Sequence, residues 1–132
     1  MKKVLLLFCA FGLGACSMGE RYSTPVDHIY FAFDSAVLDE QSLEKLADQA
    51  MYLKYHPDET IILEGNCDER GSTEYNLALG ALRAGNAEHE LMRHGIEPKR
   101  MKAISYGKER PQYLGHNEEA WSKNRNVTMH VH

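Results

Sequence analysis

Thr60-Ile61-Ile62-Leu63-Glu64-Gly65, a loop over Asn66–Thr73, and then a helical pattern from Glu74 to His94 decide the fold. The aliphatic run halted by Gly65 predicts a short strand. Gly95 follows the helical pattern as its C-cap. Outward from this unit the periods repeat. His28–Phe33 alternates, with Ile29, Phe31 and Phe33 on one face, and Asp34-Ser35 breaks it. Asp39 is the N-cap of a helix to Tyr55 whose Leu43, Leu46, Ala47, Ala50 and Leu53 share a face, closed by Pro57. Met101–Tyr106 is a third strand, Gly107–Asn117 a loop, Glu118–Lys123 a helical turn, and Val127, Met129 and Val131 mark a last strand. The order is β-α-β-α-β-(turn)-β. Strands separated by helices predict right-handed crossovers that put both helices on one sheet face.

The Glu74–His94 helix carries a charge where apolar packing is expected. At 100° per residue, Tyr75, Leu79, Gly80, Ala84, Ala87 and Leu91 fall in one half-turn arc, with Arg83 at its middle. Leu77, Leu82 and Met92 lie opposite. A guanidinium in a packed face needs partners, because an unpaired buried charge costs several kcal/mol. Asp68 stands in the loop before the helix, beside Glu69, Arg70 and Glu74. Two readings of Asp68 and Arg83 are open. They form an internal salt bridge that closes the loop, or they line one pocket. Such a pocket would complement a zwitterionic amino acid, since arginine grips a carboxylate bidentately and a carboxylate attracts an ammonium.

The chain of 132 residues suits one compact domain. Its formal charge of −4, more negative once Lys2 and Lys3 leave with a leader, argues against nucleic acid as a partner, which would call for a basic surface. Only Val4–Ala15 is continuously apolar, and a membrane-spanning helix needs about 20 such residues. Lys2-Lys3 followed by Val4–Leu13 has the layout of a secretory signal, so residues 1–15 are expected to be a leader outside the fold. Leu13-Gly14-Ala15-Cys16 resembles the bacterial lipobox, which makes Cys16 the expected lipidation site; Cys9 is excluded by bulky Phe8 before it. Two or three acyl chains, at about 0.8 kcal/mol per buried methylene, make a lasting anchor. By resemblance to enterobacterial sorting, Ser17 points to the outer membrane. Residues 16–26 read as the lipidated N-terminus and tether, and residues 17–26 fully extended span at most about 35 Å. Cys67 is left as the domain's single cysteine, so no internal disulfide is expected.

Glu64-Gly65-Asn66-Cys67-Asp68-Glu69-Arg70-Gly71, Tyr75-Asn76-Leu77-Ala78-Leu79-Gly80 and Arg83-Ala84 together resemble the OmpA-like peptidoglycan-binding domain, in the form that peptidoglycan-associated lipoproteins carry. Further matches are Phe31-Ala32-Phe33-Asp34-Ser35, Ser105-Tyr106-Gly107-Lys108-Glu109-Arg110-Pro111, Leu114-Gly115-His116 and Trp121-Ser122-Lys123-Asn124-Arg125. The resemblance covers 27–132. It implies an α+β sandwich with two main helices on one face of a four-stranded mixed sheet. It implies a domain that grips the meso-diaminopimelate of the peptidoglycan stem peptide. Asp68 would take the ammonium of its free end and Arg83 the carboxylate. Phe33, Asp34 and Ser35 would supply backbone donors and shape the pocket, Asn76 would support the loop, and Arg125 would contact the peptide carboxylates. The implied setting is the periplasmic side of the outer membrane, in a Tol–Pal system serving envelope integrity and cell division. The implied partners are the Tol proteins, chiefly TolB, on an overlapping surface.

The chain departs from the family at Ala32, where many members have Asp, at Cys67, usually Thr or Ala, at Gly85-Asn86-Ala87, and at Asn126, where a second Arg is usual. Rival chemistry finds less support. Asp34 and Asp68 could pair as in glycoside cleavage, but nothing positions a general acid or a nucleophile, so no catalytic residue is expected. The histidines lack metal-ligand spacing, and neither metal nor cofactor is expected. A structural or adhesive surface lipoprotein that works through protein partners is the alternative to a wall-binding module.

Overall fold

A computed structural model of the chain describes residues 26–132; the leader, Cys16 and the tether as far as Pro25 lie outside the described residues. The elements are β1 (Val26–Tyr30), α1 (Glu40–Tyr55), β2 (Ile61–Asn66), α2 (Thr73–Arg93), a 3-10 turn (Pro98–Arg100), β3 (Met101–Gly107), α3 (Glu118–Asn124) and β4 (Asn126–Val131). They form one sheet in the order β1-β4-β2-β3. β2 and β3 are parallel, as their α2 crossover requires, and β4 runs antiparallel to both β1 and β2. The last strand therefore inserts between the first two.

Both long helices lie on one face of this mixed sheet. Leu46, Ala50 and Leu53 of α1 and Ala84, Ala87 and Leu91 of α2 bury against Ile29, Leu63 and Met129. Each fully buried Leu or Ile contributes about 1.5–3 kcal/mol. Asp39 caps α1 as the sequence predicts, and Ser72, within the expected loop, caps α2. Asp39 accepts from the Ser42 amide at 2.8 Å, and Ser72 from the Tyr75 amide at 3.1 Å. The backbone hydrogen bond from Ser42 holds the Asp39 carboxyl below its ordinary value.

Three details differ from the sequence reading. β1 starts at Val26, inside the expected tether, and ends at Tyr30, so Phe31 is buried but Phe33 is 58% exposed. The chain turns there through Asp34 at φ +52°, which takes Phe33 off the strand's alternation. Gly65 lies within β2 and does not stop it. A Cβ on Gly65 would sit 1.8 Å from the Gly80 carbonyl oxygen, so this glycine pair lets α2 lie directly on the strand. On α2 the inward residue of the first turn is Asn76, and Tyr75 is exposed.

Two of the family departures, Asn86 and Asn126, make contacts that account for them. Asn86 donates to the Ala36 carbonyl at 2.9 Å and ties α2 to the segment after β1. Asn126 is wholly buried and donates to Gln112 at 3.2 Å and to the Lys123 carbonyl at 2.8 Å. Gly85 sits mid-helix with nothing within 4 Å of where a Cβ would go. Gly85→Ala is therefore expected to stabilise the domain by about 1 kcal/mol. Thermal denaturation should show the midpoint rising by about 4–8 °C.

Candidate functional site

The C-terminal ends of β1 and β2 and the first half of α2 converge on Arg83. Its side chain is wholly buried because the α2 stripe that faces the sheet carries it inward. Nε donates to the Ser35 carbonyl at 2.8 Å, Nη1 to the Asn66 carbonyl at 2.9 Å, and Nη2 to the Ala32 carbonyl at 3.2 Å. Nη1 also lies 3.5 Å from the Cys67 sulfur, and the guanidinium rests over the Phe31 ring at 5.1 Å. Burial pushes the guanidinium pKa down from the ordinary arginine value. No carboxylate among the described residues pairs with it, so the internal Asp68–Arg83 salt bridge left open by the sequence is not formed.

Asp68 is 4% exposed and pairs with a different arginine. Arg70 grips it with Nε to Oδ1 at 3.2 Å and Nη2 to Oδ2 at 2.9 Å, and the Arg70 amide adds a bond to Oδ1 at 3.0 Å. Arg125 reaches Oδ2 at 3.5 Å. Burial alone would raise the Asp68 carboxyl, but the Arg70 hydrogen bonds and charge, with Arg125 behind them, hold it below its ordinary value. Sequence reasoning misses this role of Arg70. Its signal is the Asp-x-Arg spacing across a turn that ends in Gly71. The Arg70 guanidinium lies between two aromatic rings, 4.0 Å from Phe33 and 4.2 Å from Trp121.

Arg83, Asp68, Arg70, Phe33, Asp34 and Asn76 line one cavity of about 220 Å³. Asn76 donates to the Arg70 carbonyl at 2.8 Å and the Ser72 carbonyl at 2.9 Å, which fixes the loop. Tyr75 donates to the Asp34 carboxylate across the mouth. Two of the expected residues stand elsewhere. Ser35 is not part of the lining; its amide donates to the Ala32 carbonyl at 3.3 Å, and its own carbonyl serves as an acceptor for Arg83. Arg125 lies behind the pocket. It donates to the Phe31 carbonyl at 2.9 Å and grips Glu118 at 2.6 and 3.3 Å, so its charge is neutralised within the protein.

The cavity thus presents a buried cation with no acid partner among the described residues, beside a carboxylate, in a space for one amino-acid-sized group. That is the complement of a zwitterion.

A family model described as the OmpA family matches residues 30–125. The peptidoglycan-associated lipoprotein of Pasteurella multocida is 37% identical over 118 residues, 89% of this chain and 76% of the relative. That of Mesorhizobium japonicum is 42% identical over 117 residues, 86% of this chain and 70% of the relative. Among solved structures, the peptidoglycan-associated lipoprotein of Burkholderia pseudomallei is 43% identical with a TM-score of 0.78, covering 80% of this chain and 89% of that one. The C-terminal domain of Helicobacter pylori MotB shares the fold, with a TM-score of 0.74 at 21% identity over 80% of this chain and 84% of that one. By fold and by sequence, the chain belongs to the OmpA family, among its peptidoglycan-associated lipoproteins.

Proposed function

We propose that this protein is a non-catalytic module that binds peptidoglycan through the free zwitterionic end of meso-diaminopimelate in the stem peptide. One observation carries the reading: Arg83 is wholly buried, has no carboxylate partner among the described residues, and shares a small cavity with Asp68. The ligand's carboxylate completes the guanidinium, and its ammonium meets Asp68. Phe33 and Asp34 close over the ligand, Asn76 holds the loop, and Arg125 braces Asp68 from behind. Cys16 carries the lipid that seats the chain in the outer membrane facing the periplasm, and the short tether keeps the domain near that membrane. The wall is thereby linked to the membrane. The relatives' names support this reading, since each is called a peptidoglycan-associated lipoprotein. Tol proteins, chiefly TolB, compete for the surface around the pocket.

Co-sedimentation with purified sacculi tests the reading. The full chain pellets with sacculi and releases no soluble sugar or peptide. Failure to pellet would favour a lipoprotein that acts only through protein partners, and release of fragments would make it a hydrolase.

A further inference from the structure

Asp68 has no free acceptor position. A carboxylate offers about four lone-pair directions. Oδ1 takes the Arg70 amide and Nε, and Oδ2 takes Arg70 Nη2 and Arg125 Nη1. An incoming ammonium must therefore displace one of these donors.

The four are not equally held. The backbone amide belongs to the loop that Asn76 pins. The Arg125 side chain is 8% exposed and is fixed by a main-chain carbonyl and by Glu118. The Arg70 side chain is 32% exposed, and its guanidinium donates its hydrogen bonds to Asp68. It also has somewhere to go. Glu118 Oε2 stands 4.0 Å from Arg70 Nη2, on a side chain 66% exposed. The Arg70 guanidinium also lies over the Phe33 and Trp121 rings, at 4.0 and 4.2 Å from their centroids.

We propose that the Arg70 guanidinium occupies the ammonium position of the free pocket as an internal stand-in for the ligand, and that binding swings it from Asp68 towards Glu118. This inference rests on the pocket reading above. Arg70 is then a positioning residue with two effects. It keeps a nearly buried carboxylate satisfied when no ligand is bound. It also sets a threshold for affinity, because a ligand must carry a cation good enough to replace a bidentate arginine. A neutral or purely anionic group gains nothing at Asp68.

Trp121 reports the motion, since it is the chain's single tryptophan and stacks on Arg70. The experiment titrates the full chain in detergent with the tripeptide L-Ala–γ-D-Glu–meso-diaminopimelate, following heat and Trp121 emission together. In the wild type, emission changes in step with the heat and saturates with it. Arg70→Gln binds about tenfold more tightly, the scale of one charge-assisted hydrogen-bond pair removed from competition, and its emission no longer responds. Arg70→Lys, which keeps the charge and loses the bidentate grip, falls between the two and carries the test if the glutamine variant does not fold. Unchanged or weaker binding by the variants, or constant wild-type emission at saturation, overturns the exchange while leaving the pocket standing. No heat from the wild type overturns the pocket reading and the exchange with it.

Discussion

Arg83→Ala is expected to abolish retention on sacculi and also to destabilise the fold. The two effects have separate causes. Binding fails because the ligand's carboxylate meets no other guanidinium at the pocket that lacks an acid partner: Arg70 is held by Asp68, and Arg125 by Asp68 and Glu118. Stability falls because the Ala32, Ser35 and Asn66 carbonyls each lose a donor. The Asn66 carbonyl is the buried one of the three, and leaving it unmade costs about 1–3 kcal/mol; the part-buried Ala32 and Ser35 carbonyls cost less, since Ala32 keeps the Ser35 amide and both are within reach of water. The vacated volume adds a cavity cost, because the side chain is wholly buried. Arg83→Lys separates the effects. An ammonium keeps the charge but cannot span three carbonyls in one plane. It should recover part of the melting temperature and little of the binding. Full binding by Arg83→Lys would mean that charge alone suffices and that the planar fork is irrelevant.

Asp68→Asn has the second large effect. The amide is the same size, so the cavity is unchanged, but the ammonium loses its counter-charge. Arg70 and Arg125 are left without their shared acid beside the cation Arg83. Removing one partner of a buried ion pair costs about 3 kcal/mol of stability. Tripeptide binding should fall on the order of 100-fold, the scale of a charge-assisted hydrogen bond removed and replaced by repulsion between cations. The pH dependence follows from the same group. The Asp68 carboxyl titrates below the ordinary 3.8 because the Arg70 hydrogen bonds outweigh its burial. A depressed carboxylate contributes its stability fully above the unfolded value and loses it as pH falls through the folded one. Retention on sacculi should therefore be flat from about pH 8 to 5 and decline only below the ordinary aspartate range. A midpoint near neutrality would mean that another group governs binding.

Much of this architecture can be read from residue patterns because the patterns are local. Asp39 and Ser72 cap helices whose inward stripes repeat at helical spacing, and Gly95 ends α2 in the left-handed region at φ +90°. The insertion of β4 between β1 and β2 has no local signal; strand order depends on how separate elements dock. Gly65 looks like a stop for the same reason, since its purpose is close approach to Gly80, a residue on another element. Phe33 continues the β1 alternation in sequence, but the turn at Asp34 takes it out of the strand to stack on Arg70. At the site, α2 periodicity is enough to expose Arg83 as an anomaly. What it cannot supply is the partner. Spacing suggests Asp68, whereas the guanidinium is held by three main-chain carbonyls, and carbonyls leave no mark in a sequence. Arg125, expected at the ligand, stands behind Asp68 because α3 delivers Glu118 to neutralise it.

The most direct measurement compares two tripeptides by calorimetry on the full chain: one ending in meso-diaminopimelate, the other in L-lysine, which keeps the side-chain ammonium and lacks the side-chain carboxylate. If Arg83 exists to receive that carboxylate, the lysine peptide binds at least about 100-fold more weakly, and Arg83→Lys removes most of the difference. Equal affinity for the two peptides would contradict the account.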